Sequence, residues 1–75
     1  MMSSQDILKD ARKKAGMTQR EFSAYFGIPY RTLQQWEQGK RQIPSYLLRL
    51  MLYKLGMDRI LEKKRLEEME KDISA

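Results

Sequence analysis

The sequence predicts an all-α fold: four compact core helices followed by a C-terminal helix or tail. Three observations carry this expectation. Apolar residues recur at helical spacing along most of the chain. Gly16, Gly27, Gly39 and Gly56 fall at the ends of the periodic stretches, where glycine stops a helix. Thr18 and Glu21 stand three apart, the spacing of a capping box at a helix start.

The first helix is expected from about Gln5 to Ala15, with Ile7, Leu8, Ala11 and Ala15 on one face, Ser4 as N-cap and Gly16 as stop. The second begins after Thr18. Its hydroxyl accepts from the Glu21 amide, and the Glu21 carboxylate accepts from the Thr18 amide. Met17 and Phe22 occupy the two positions of a hydrophobic staple, and Phe22, Tyr25 and Phe26 supply apolar bulk. Gly27 ends this helix, and Pro29 holds the chain extended through a turn.

The third helix is expected from about Tyr30 to Gln38. At about 100° per residue, Leu33, Trp36 and Glu37 share one side. Arg31, Gln35 and Gln38 lie opposite, with Gln34 on the flank. Gly39 closes the helix and Lys40-Arg41-Gln42 forms a basic loop. Pro44 suits the first turn of a fourth helix carrying Tyr46, Leu47, Leu50, Met51 and Leu55, with Gly56 as its stop. Asp58 is the candidate cap of a further, charge-laced helix to about Asp72. There Met57, Ile60 and Leu61 would close the core, while Leu66, Met69 and Ile73 point away from it. The division is thus 1–56 as a folded domain and 57–75 as an extension, dimerising or partly disordered.

Seventy-five residues make one small domain with a small core. The absence of Cys and His removes disulfides and the usual zinc sites, and fits a cytoplasmic location. No apolar run reaches membrane-spanning length, and no signal peptide is expected at the N-terminus. The net charge is +5, unevenly spread. Through Gly56 there are ten Lys and Arg against four acids, a net +6; from Met57 onward five bases meet six acids, a net −1. A basic domain of this kind favours a polyanionic partner, nucleic acid before membrane. No pair of carboxylates, nucleophile with a base, or phosphate-cradling glycine loop suggests catalysis, so neither enzyme activity nor a cofactor is predicted.

An outward face of Arg31, Gln34, Gln35 and Gln38 on a short helix is either a solvated surface or a reading surface. Arg can bond guanine bidentately and Gln adenine, which favours the second. Lys40 and Arg41, just past that helix, suit phosphate. Trp36 reads as core. Glu37, on the apolar side, needs a cationic partner if buried.

Residues from about Ile7 to Leu55 resemble the Cro/repressor-type (XRE) helix-turn-helix family of bacterial and phage DNA-binding domains. The matching positions are Arg12, Gly16-Met17-Thr18-Gln19, Phe22, Gly27-Ile28, Leu33, Trp36-Glu37-Gln38-Gly39-Lys40 and Pro44. The resemblance implies a repressor-like domain whose second helix crosses the phosphate backbone and whose third enters the major groove. It implies that Gln19 contacts phosphate, that Tyr30, Arg31, Gln34 and Gln35 read bases, and that Gln38, Lys40 and Arg41 hold the backbone. It also pairs Arg12 with Glu37. Pro29 departs from the Ser, Thr or Asp usual there and removes a side-chain cap worth about 1 kcal/mol. The expected function is a transcriptional regulator, a repressor that binds a palindromic operator in double-stranded DNA as a homodimer. The alternative is an antitoxin whose segment after Met57 binds a toxin while the helix-turn-helix autoregulates. A purely structural adaptor leaves the Arg/Gln face without a purpose.

Overall fold

The computed structural model describes residues 2–58 and Ile73. Four helices follow in order: α1 (Ser4–Lys14), α2 (Gln19–Phe26), α3 (Tyr30–Glu37) and α4 (Ser45–Met57), with no strand among the described residues. The protein is all-α.

Local chemistry sets the ends of the first three helices. The α1 N-cap is Ser3 rather than Ser4: its hydroxyl accepts from the Asp6 amide at 3.2 Å, and Ser4 becomes the first helical residue. At α2 both halves of the capping box form. Thr18 Oγ1 accepts from the Glu21 amide at 3.1 Å, and Glu21 Oε1 accepts from the Thr18 amide at 2.9 Å. Hydrogen bonding to the Thr18 amide first, and then to the Thr18 side chain, holds the Glu21 carboxyl below its ordinary pKa. Helix α3 follows Pro29, its N-cap residue, without a side-chain cap.

All three helices end on the same doubled hydrogen bond. At α2 the Gly27 amide donates to the Ala24 carbonyl and the Ile28 amide to Ser23; at α3 the Gly39 amide donates to Trp36 and the Lys40 amide to Gln35. This pattern needs a left-handed residue. Gly27 (φ 67°) and Gly39 (φ 77°) supply it, as does Gly16 behind α1. A Cβ at Gly39 would also come within 2.7 Å of Gln5 Oε1.

The core is one cluster drawn from every helix: Ile7, Leu8 and Ala11 of α1, Phe22 of α2, Leu33 and Trp36 of α3, and Leu48, Met51, Leu52 and Leu55 of α4. Ile43, in the loop before α4, is also buried. The α4 face differs from the expected one. Leu48 and Leu52 are buried, whereas Tyr46 and Leu50 are 65% and 59% exposed. Thirteen residues rich in Leu, Met and Tyr hold two apolar stripes of helical period, and the one containing Leu48 faces inward.

The end of α4 also departs from expectation. Gly56 does not stop the helix, which runs through Met57 and is capped by Asp58. Asp58 therefore ends α4 and accepts from the Tyr25 hydroxyl. Burial first, then that carboxylate, push the Tyr25 pKa up to about 12. Lys54 stands 4.2 Å from the Tyr25 ring centre and donates to the Tyr25 carbonyl, fastening α4 to α2. Met57 does not close the core, being 65% exposed. Ile73, expected to point away, is half-buried against the core of its own chain. Ile60, Leu61, Leu66 and Met69, with the helix expected to Asp72, lie outside the described residues.

Candidate nucleic-acid interface

Helix α3 is sorted sharply. Leu33, Trp36 and Glu37 are buried, Arg31 and Gln38 are exposed, and Gln34 and Gln35 are half-exposed. The inward side is fixed by the core, so the long polar side chains are held outward by packing rather than by chance.

The least ordinary inward residue is Glu37, 2% exposed. Its carboxylate accepts two parallel bonds from Arg12, Nε to Oε2 at 2.8 Å and Nη2 to Oε1 at 2.9 Å. That fork geometry is the strong form of the Arg–carboxylate pair. Oε1 accepts a third bond from Gln19 Nε2 at 3.3 Å, and the Glu37 carbonyl accepts from Gln5 Nε2 at 2.9 Å. Arg12 spends its remaining arm on the Met17 carbonyl at 3.1 Å. One buried carboxylate thus ties α1, the head of α2 and the end of α3 together. No buried side-chain nitrogen or oxygen lacks a partner among the described residues, as a buried charge requires.

This network also sets the relative placement of the two helix heads. Gln19 is the first residue of α2 and Tyr30 the first of α3. Between them lies an open cleft of about 500 Å³ lined by Arg12, Thr18, Gln19, Arg20 and Tyr30. Arg20 crosses it: its guanidinium carbon sits 4.5 Å from the centre of the Tyr30 ring. At the other end of α3, the amides of Lys40 and Arg41 both donate to the Gln35 carbonyl, at 2.9 and 3.3 Å. The basic loop is therefore folded back onto the helix, and both side chains are exposed.

Of the predicted site residues, Gln19 and Tyr30 mark the two helix heads, Arg31, Gln34, Gln35 and Gln38 line the outward side of α3, and Lys40 and Arg41 follow its end. Arg20, which stacks on Tyr30, escaped sequence reasoning. A pair ten residues apart across a turn has no periodic signal. Its one trace in the sequence is an arginine inside the capping box with no acid four residues away.

Two short helices joined by a glycine turn, the second packed inward by Leu33 and Trp36, form a helix-turn-helix unit. The helix-turn-helix family model matches residues 8–58. This chain belongs to the XRE helix-turn-helix family. No curated protein and no solved structure matches it. As a helix-turn-helix protein it is a DNA-binding regulatory domain. No helix among the described residues is long and apolar enough to cross a membrane.

Proposed function

We propose that this protein is a sequence-specific repressor that lays α3 in the major groove of double-stranded DNA and binds as a homodimer to an inverted repeat. The observation that carries the reading is the sorting of α3: burial of Leu33, Trp36 and Glu37 leaves Arg31, Gln34 and Gln35 outward. These side chains, with Tyr30 at the helix head, face base edges. Gln19, Gln38, Lys40 and Arg41 lie along phosphates on either side. Gln19 keeps one amide hydrogen for phosphate while the other is held by Glu37. A domain seated in the groove excludes other proteins from the same site, which is sufficient for repression.

The dimer follows from reach. Eight residues of α3 span about 12 Å, enough to face only about three or four base pairs. Two copies on half-sites one helical turn apart double the reading length. The outer side of α4 supports such pairing. Tyr46, Leu50, Tyr53 and Met57, at spacings of four, three and four, are 65%, 59%, 60% and 65% exposed. This stripe, rather than the segment after Met57 alone, supplies an apolar surface for a second copy. Tyr53→Glu is expected to leave the monomer folded and shift sedimentation toward a monomer. It should weaken a palindromic site far more than a half-site. Unchanged sedimentation and an unchanged full-site advantage would remove α4 from the interface.

The division of labour on α3 is testable separately. Arg31→Ala should cost about 1–3 kcal/mol and relax preference at one base pair. Lys40→Ala should weaken all sequences alike and reduce the salt slope by about one. Competition binding on single-base variants distinguishes them. Uniform weakening of every site by Arg31→Ala would overturn its assignment as a base reader.

A further inference from the structure

We propose that Arg20 is an additional phosphate contact of this domain and that Tyr30 is the platform that positions it. The inference rests on the DNA-binding reading above and assigns a site that the face of α3 does not include.

Arg20 is exposed on α2, and it forms no salt bridge among the described residues. A free surface arginine ordinarily sweeps a large volume and loses rotamer entropy when it is fixed. Here the guanidinium lies over the Tyr30 ring at 4.5 Å, so part of that ordering is already present in the free protein. Among the described residues the guanidinium forms no salt bridge and donates no hydrogen bond, so its N–H donors are open to grip a phosphate bidentately.

Geometry selects phosphate over a base edge. A helix with its side chains is about 10–12 Å across, close to the roughly 12 Å width of the major groove. Tyr30 is the first residue of α3, so its ring already stands at the head of the helix that fills the groove. In the docking proposed above α2 crosses the backbone, so a cation rooted on α2 and 4.5 Å from that ring is closer to phosphates than to base edges. The nearest acid in sequence, Glu21, forms no salt bridge with Arg20; its carboxylate accepts from the Thr18 amide.

The test needs no knowledge of the operator, because a phosphate contact operates on any duplex. A mixed-sequence duplex of about three helical turns is titrated over a range of salt concentrations, with thermal melts confirming that each variant is folded. Each phosphate contact adds about 0.9 to the slope of log affinity against log salt. Arg20→Ala and Tyr30→Leu should each lower the slope by about that amount, and the double variant should lower it no further. Tyr30→Phe, which keeps the ring, should lower the slope less than Tyr30→Leu does. An unchanged slope in Arg20→Ala overturns the contact, including the case where only one base preference changes. Losses that add in the double variant, or an intact slope in folded Tyr30→Leu, overturn the platform. Wild-type protein without salt-dependent duplex binding would instead defeat the DNA reading itself.

Discussion

Glu37→Ala is expected to destabilise the domain by about 3–5 kcal/mol, the largest effect of any single polar substitution in it. Removing the carboxylate leaves the largely buried Arg12, 14% exposed, without its counter-charge. It also strips Gln19 Nε2 of its acceptor. Arg12→Ala should cost a comparable amount by stranding the more deeply buried partner. The double variant should recover part of the sum, because neither charge is then left unpaired. For a domain of this size each kcal/mol moves the melting temperature by about 4–8 °C, so the single variants should melt well below the wild type. Denaturant melts of both singles and the double measure the coupling. Coupling near zero would contradict the clamp. A weaker DNA complex in conditions where Glu37→Gln is folded would show that the same network also places the head of α2.

Leu48→Ala is expected to cost about 2–5 kcal/mol, and Leu50→Ala about 0.5 kcal/mol or less in a monomer. Both are leucines in the first half of one helix, two residues apart. Leu48 is fully buried, so truncation leaves a cavity; Leu50 is 59% exposed, so truncation removes little contact. Urea melts at low protein concentration make the comparison without interference from self-association. Equal costs would mean that α4 is rotated from the orientation described.

The same pair shows where sequence reading loses its grip. Periodicity gives the spacing of an apolar stripe, but its phase is fixed only if the other side of the helix is polar. On α3 the other side carries Arg31, Gln35 and Gln38, so a single orientation is possible and the buried side was legible. On α4 the stripe of Tyr46, Leu50, Tyr53 and Met57 competes with that of Leu48, Met51, Leu52 and Leu55. The choice between them depends on where the rest of the core lies, including Ile43 in the preceding loop, which has no periodic signal of its own. Helix ends were readable where a specific hydrogen bond defines them, as with Thr18 and Glu21, or where a left-handed glycine does, as with Gly27 and Gly39. They were misread where neither acts: Gly56 sits inside a helix because a glycine is tolerated there, and Asp58 performs the ending. Ser3 and Ser4 offer the same hydroxyl one residue apart, and only the fold selects Ser3.

The candidate interface was legible to the same degree. Its residues on α3 follow from periodicity, but their arrangement against α2 does not. Gln19 donating to Glu37 and Arg20 stacked on Tyr30 both cross the turn between the helices. Such contacts depend on the angle between α2 and α3, which no spacing rule supplies.

Selection of bound sequences from a random duplex pool, at one stated salt concentration, tests the central claim most directly. If α3 reads bases from the major groove in a symmetric dimer, successive rounds enrich an inverted repeat. Its half-sites lie about one helical turn, or 34 Å, apart, and Arg31→Ala relaxes one position in each half. Retention of the pool through phosphate contacts alone, with no sequence enriched over the starting mixture, would contradict it.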